Sequence, residues 1–273
     1  MMYNQYWGLT EAPFENTPNP KFLYHSKEHE EALFRLLYVV QQRKGAAVLT
    51  GIFGCGKTVL GRALLNQLNK NIYRVAIINN PYLKSVELLR SIARQLGVTE
   101  LCENLSEMSA DTFLQRIEEI LVNNHRDGKE TLVIIDEAHL IRDDDIFEEL
   151  RLILNFQTEE RFLLTLILMG QTELLDKVRK HKPFAQRVAL GYTLAPFDLQ
   201  DTQKYIEHRL GVAGVKNAQL FTSKALEVVF QNSGGIPRRI NQICDMSLLT
   251  GFNNNASLVD DKIVEDVIAS LGV

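Results

Sequence analysis

Residues 51–58 read Gly-Ile-Phe-Gly-Cys-Gly-Lys-Thr, a G-x-x-x-x-G-K-[ST] spacing suited to binding a polyphosphate. Glycines at this spacing let successive backbone N–H groups converge on phosphate oxygens. The expected cradle is Gly51, Gly54, Cys55, Gly56, Lys57, Thr58 and Val59. Lys57 would reach the terminal phosphates, and the Thr58 hydroxyl would hold Mg²⁺. Residues 132–139 read Leu-Val-Ile-Ile-Asp-Glu-Ala-His, an apolar run ending in two carboxylates. A buried strand of this kind would deliver Asp136 to the metal and Glu137 to the water that attacks a phosphoanhydride. The plainer reading of Glu137 is a solvated carboxylate at a sheet rim. Beside such a glycine loop, that reading is the weaker one. ATP and Mg²⁺ are the cofactors this pairing implies.

Further polar residues have chemical and bland readings side by side. Gln171 and Thr172 follow an apolar run that should lie beside the strand of the glycine loop. A polar side chain there can meet a γ-phosphate or its water, or simply end a strand; the two readings weigh equally. Arg187 precedes the last predicted strand and is placed to act on charge developing in phosphoryl transfer. Arg238 and Arg239 follow Gly-Ile-Pro, where proline starts a helix. Arginine does not complement the positive end of a helix, so a phosphate ligand is favoured over a surface pair. The basic run at residues 177–182 is read as a solvated helix end. Cys55 lies near Lys57 and a helix start, both of which favour a thiolate, yet a small residue that fits is the preferred reading.

The elements that must position these groups alternate. Apolar runs at residues 46–50, 73–78, 131–135, 163–169 and 192–194 predict strands. Helical spacing predicts helices at about 26–42, 59–68, 85–96, 110–123, 144–156 and 173–181. Strands alternating with helices imply a parallel sheet covered on both faces. After Pro196 only helical periods remain, near 201–210, 223–232, 238–250 and 260–271. Residues 1–25 carry six aromatics and Pro13, Pro18 and Pro20, predicting an extended strap. Its aromatics would pack on a folded body, and some of them could also wall an adenine pocket. The predicted organisation is 1–44 as strap and first helix within the nucleotide-binding domain, 45–196 as its α/β body, and 197–273 as a helical lid.

Composition excludes several classes. Of 273 residues, 45% are hydrophobic and 23% charged, a globular rather than disordered balance. Thirty Lys and Arg against 34 Asp and Glu leave a net charge of -4, which argues against coating nucleic acid by bulk charge. Cys55, Cys102 and Cys244 are scattered and odd in number, as in a reducing compartment. No Cys/His cluster has metal-ligand spacing, no apolar run approaches the ~20 residues of a membrane span, and no signal pattern opens the chain. A cytoplasmic location is expected.

Taken together, these residues resemble an AAA+ ATPase: an α/β P-loop NTPase with a parallel sheet flanked by helices and a small all-helical lid. The opening Tyr-Trp-Gly-Leu-Thr-Glu-Ala-Pro-Phe is similar to the start of the ExeA/GspA-type general secretion ATPases. So are Gly170-Gln171-Thr172-Glu173-Leu174, Gln186-Arg187 and Gly235-Ile236-Pro237-Arg238-Arg239-Ile240-Asn241. The resemblance implies Gln171 as sensor 1, Arg187 as arginine finger and Arg238 as sensor 2. It implies ATP-driven self-association into a ring and a partner in secretion or type IV pilus machinery, with peripheral inner-membrane attachment through that partner. Some members carry a membrane segment and a peptidoglycan-binding region; neither is found in these residues, so a cytosolic motor or switch is expected. DNA-binding regulators of transposition share the motifs and form the alternative. A DEAH helicase is rejected because a second motor domain is missing. A nucleotide-gated scaffold without turnover is disfavoured by Lys57, Asp136 and Glu137.

Overall fold

A computed structural model describes residues 2–79, 81–98, 109–215 and 219–271; Cys102 lies outside them. The chain begins with α1 (Met2–Tyr6), α2 (Lys27–Gln41), β1 (Ala46–Gly51), α3 (Lys57–Gln67) and β2 (Tyr73–Ile78). It continues through α4 (Ser85–Leu96), α5 (Ala110–Arg126), β3 (Glu130–Ile135), α6 (Asp145–Ile153) and β4 (Leu164–Gly170). Then come α7 (Glu173–Lys180), α8 (Lys182–Ala185) and β5 (Val188–Leu194). Four helices close the chain: α9 (Leu199–Val212), α10 (Ser223–Ser233), α11 (Pro237–Asn253) and α12 (Asp261–Leu271). These elements form two compact units. One comprises Glu31–Gly51 and Ala63–Leu194; the other comprises the described residues of Met1–Glu30, Ile52–Arg62 and Ala195–Val273. The strap thus groups with the C-terminal helices, a division different from the sequence boundary at 44.

The sheet unit holds five strands in the order β2-β3-β4-β1-β5, every adjacent pair parallel. β1, β3 and β4 lie inside the sheet, so their near-continuous apolar runs are buried on both faces. One alternating set, including Val48, Val133, Ile135, Leu166 and Leu168, packs in a core with Leu88, Phe113, Ile117 and Phe147 from the helices. The opposite set, including Leu49, Ile134 and Ile167, is equally buried. β4 pairs directly with β1, as expected from the sequence. β2 is an edge, and Gln95 of α4 covers part of it. Its amide Nε2 donates to Ile77 O and its Oε1 accepts from Ile77 N, both at 2.7 Å. A side-chain amide here stands in for a neighbouring strand.

The second unit buries its own core around α9–α12. Tyr3, Trp7, Phe14 and Phe22 from the strap join Phe197, Tyr205, Ile206, Leu248 and Val264 there. The indole N–H of Trp7 donates to Leu248 O at 2.9 Å. Arg209, 5% exposed, donates to the backbone carbonyls of Pro13 and Glu15 and to the Tyr205 hydroxyl. A buried guanidinium is tolerable only with its donors matched, and the strap's carbonyls supply the match.

Two expectations need correction. Residues 1–25 are not extended throughout, because α1 forms before the first proline at Pro13 and a 3₁₀ turn spans Pro20–Phe22. The last strand starts at Val188 rather than 192: β5 pairs only with β1, its outer face is exposed, and its residues alternate instead of forming an apolar run.

Adjacent glycines before α11 provide a stability test. Gly235, at φ +71°, would bring a Cβ within 1.9 Å of Phe197 O, while Gly234, at φ +60°, opens onto free space. Gly234→Ala should therefore cost about 1 kcal/mol, the left-handed backbone penalty alone. Gly235→Ala should cost about 3 kcal/mol, because backbone must move as well. Urea unfolding of both variants measures the difference.

Candidate functional site

The glycine loop leaves the C-terminal end of β1 and closes at the first residue of α3. Gly54 and Gly56 take φ values of +84° and +100°, which side chains rarely adopt. A Cβ on Gly54 would lie 2.8 Å from the Cβ of Arg238, and one on Gly56 would lie 3.1 Å from His29 Nε2. The loop is therefore glycine for conformation and for close approach at once. Lys57 is 6% exposed, with its Nζ donating to Ile52 O at 3.0 Å. Because α3 starts at Lys57, the positive end of the helix faces into the loop. Cys55 is fully buried, and burial pushes its thiol up despite Lys57, the opposite of the thiolate-favouring effect expected from the sequence.

Arg238, expected from the sequence to meet phosphate, packs on this loop. Its backbone N–H donates to Gly54 O at 3.3 Å, and its guanidinium lies 4.7 Å from the Phe53 ring centroid. Pro237 opens α11 and sets the first turn that presents the arginine. Arg239 sits beside it, half-buried.

One loop contact was not foreseen. His29, in the first turn of α2, is 3% exposed, and its Nε2 lies 3.2 Å from Cys55 O. Its Nδ1 lies 2.8 Å from Ser26 Oγ, which also accepts the His29 backbone N–H. A carbonyl only accepts, so Nε2 carries the proton and Nδ1 accepts a hydrogen bond from the Ser26 hydroxyl.

The carboxylates belong to the sheet unit. Parallel pairing brings the ends of β1, β4 and β3, and therefore Gly51, Gly170 and Asp136, to one edge of the sheet. Asp136 is 5% exposed and accepts the Glu137 N–H at 2.8 Å through Oδ1. Glu137 adopts φ +52°, one of three non-glycine residues at positive φ among those described. Its Oε2 lies 3.3 Å from His139 Nδ1, and Gln171 Nε2 lies 3.0 Å from His139 Nε2. Glu137 and Gln171 thus come together through a histidine that had been noted only as part of a motif's spelling. Lys177 corrects the reading of the basic run: its ammonium donates to His139 O at 2.5 Å and Ile141 O at 2.6 Å. A helix-end cation here pins a neighbouring turn rather than facing solvent.

Arg187 lies elsewhere. It precedes β5, at the N-terminal edge of the parallel sheet, where its carbonyl accepts from Ala46 N at 3.1 Å. Its guanidinium donates to Asn155 Oδ1 at 2.6 Å and sits over Phe162. The sheet does not bring it to the edge that carries Asp136 and Gln171.

A five-stranded parallel sheet in this order, a glycine loop after β1, paired carboxylates after β3 and a C-terminal set of helices define a P-loop NTPase fold of the AAA+ class. The chain belongs to the AAA domain family, whose pattern matches residues 40–178. Within it, the chain is 40% identical over 254 residues to general secretion pathway protein A of Aeromonas hydrophila, as the resemblance implied. That match covers 92% of this chain but 45% of the relative, so the chain spans less than half of that protein's length. Among solved structures, Cdc6p from Pyrobaculum aerophilum aligns with a TM-score of 0.68 at 19% identity, covering 88% of this chain and 67% of that one. The ORC2 protein of Aeropyrum pernix, solved as ADPNP–ADP complexes, gives 0.65 at 15%, covering 89% and 66%. The likeness to both is one of fold. No helix among the described residues is long and apolar enough to cross a membrane.

The buried His29 carries a pH signature. Burial, and secondarily His25, hold it below the ordinary value of 6.5, against the Cys55 carbonyl and the Asp201 and Glu28 charges, which pull it up. The folded chain then takes up this proton at lower pH than the unfolded chain. Stability from His29 is complete above about pH 6.5 and is lost as pH falls through the folded value. His29→Gln should flatten the acid side of the stability curve by up to ~1.4 kcal/mol per pH unit. His208, also lowered by burial, leaves a residual slope of the same sign. Urea unfolding between about pH 5 and 8 reads both.

Proposed function

We propose that this chain binds ATP with Mg²⁺ and hydrolyses it, using the resulting conformational change in a secretion- or type IV pilus-type assembly. The observation that supports this reading best is the glycine loop, whose two positive-φ glycines close on a buried lysine at a helix start. The residue types suit a magnesium-bound polyphosphate: glycine-loop amides, the Lys57 ammonium and the Thr58 hydroxyl in one unit, and the buried Asp136 carboxylate in the other. In this reading Gly51, Gly54, Cys55, Gly56, Lys57, Thr58 and Val59 hold the phosphates. Thr58 and Asp136 would hold Mg²⁺, which when bound neutralises charge on the phosphate oxygens. Glu137 orients the attacking water and takes its proton. Gln171 and Arg238 respond to the terminal phosphate. The secretion assignment rests on the relative's name and takes a machinery protein as the partner, with the chain cytoplasmic and peripheral to the inner membrane through it. DNA is the disfavoured partner; salt-sensitive stimulation of hydrolysis by DNA would favour it instead.

Two variants separate binding from chemistry. Glu137→Gln should keep MgATP affinity and lose ~10²–10⁴ in turnover, the scale of a general base. Lys57→Ala should weaken binding itself. Nucleotide titration and phosphate release measure both, and unimpaired hydrolysis by Glu137→Gln would remove that residue from the role.

Arg187 is proposed to act on the nucleotide of a second copy. Arginine fingers contribute ~10³–10⁵ in rate, so Arg187→Ala should be nearly inactive with its own pocket intact. Mixing it with Lys57→Ala pairs intact fingers with intact pockets, and hydrolysis should return in proportion to mixed-oligomer formation. Mixed oligomers that stay inactive would exclude action in trans.

A further inference from the structure

The Glu137–His139–Gln171 contacts form a chain of defined polarity. A carboxylate only accepts, so a hydrogen bond across the 3.3 Å between Glu137 Oε2 and His139 Nδ1 would place the proton on Nδ1. Neutral imidazole then offers its lone pair at Nε2, where Gln171 Nε2 stands at 3.0 Å as a donor. One tautomer satisfies both ends. The Gln171 backbone N–H is directed at Nδ1 from the same distance, 3.3 Å, and in the other tautomer Nδ1 accepts it while Glu137 faces a lone pair; the two tautomers are the alternatives the test separates.

The surroundings hold this histidine in place. A Cβ on Gly170 would come within 2.9 Å of His139 N, so β4 admits the turn only because residue 170 is glycine. Lys177 binds the carbonyls on either side of Leu140. The His139 side chain is 12% exposed, whereas that of Glu137 is 35% exposed. Glu137 holds a left-handed backbone, a strain of about 1–3 kcal/mol for a non-glycine residue.

We propose that His139 is a positioning residue for hydrolysis: it orients the Glu137 carboxylate through Nδ1–H, and Gln171 fixes the imidazole that does so. Gln171 therefore acts on turnover through His139. This rests on the proposed role of Glu137 as the group that activates water.

The tests are a double-mutant cycle and a tautomer measurement. His139→Ala should lower kcat by roughly 10–100-fold, the cost of a misplaced catalytic group, with MgATP affinity unchanged. Gln171→Ala should lower kcat in the parent and add little in the His139→Ala background. His139→Asn, whose amide nitrogen falls near the Nδ1 position, should retain more turnover than His139→Gln, whose amide falls near Nε2. Multiplying effects of His139→Ala and Gln171→Ala, or equal behaviour of the Asn and Gln variants, would overturn the coupling. Independently of hydrolysis, long-range ¹H–¹⁵N spectra of histidine-labelled protein, assigned with His139→Gln, should show His139 with its proton on Nδ1. A proton on Nε2 would overturn the proposal even if Glu137 proves essential. If Glu137→Gln hydrolyses ATP normally, the proposed function fails at Glu137, and the tautomer result still decides whether His139 holds that carboxylate.

Discussion

Parallel pairing of β3, β4 and β1 is the constraint on which the sheet unit depends. With all three strands running one way, their C-terminal ends at Gly51, Ile135 and Gly170 share an edge of the sheet. The glycine loop, the carboxylate pair and Gln171 each follow one of these strands. Their interior position also demands apolar residues on both faces, which leaves the polar side chains to the residues just past the strand ends. Crowding at that edge has its own consequence. The turn after Glu137 packs so tightly on β4 that Gly170 has no room for a methyl group, and the same tightness brings His139 to Gln171.

In the second unit the organising interaction is the burial of Arg209. Its guanidinium takes the strap's carbonyls at Pro13 and Glu15, and the aromatics on either side fill the helical core. Tyr205 bridges Arg209 and Asn241, so α9, α11 and the strap share one buried polar network. Such a network is sound only when complete, since an unmatched guanidinium in this core would cost several kcal/mol. The strap is thus an integral layer of this unit. That continuity is what carries Ser26 and His29 to the loop backbone at Cys55.

Much of this was legible in the chain because it is local. Apolar runs of five to seven residues bounded by turn formers marked β1 to β4, and the helical periods after Pro196 marked α9 to α12. The glycine and carboxylate motifs were recognisable from spacing alone, and Pro237 announced the helix start under Arg238. What stayed hidden depends on contacts distant in sequence. His29 is separated from Cys55 by 26 residues, and His139 from Gln171 by 32. Neither histidine carries a local signal, since each sits where an ordinary helix or turn residue would. Lys177 misled for the same reason: charge at a helix end is normally solvated, and only the fold puts two carbonyls within its reach. β5 was short in prediction because an edge strand needs apolar residues on one face only.

The polarity of the sheet also limits what Arg187 can do. β5 is seven residues long, so at ~3.3 Å per residue its two ends lie roughly 20 Å apart. Arg187 is at the start of that strand, while the groups proposed to handle the terminal phosphate follow the ends of its parallel neighbours. A side chain of arginine's length does not bridge that separation, so any action on a γ-phosphate would fall on another copy of the chain. In the single chain the guanidinium is held by Asn155 and rests on Phe162. Recruiting it would mean giving up a charge-assisted hydrogen bond worth about 1.5–3 kcal/mol. That cost is small against the charge of a triphosphate and large against thermal energy. The arginine would then remain parked in the isolated chain and move only when a neighbour presents an anion.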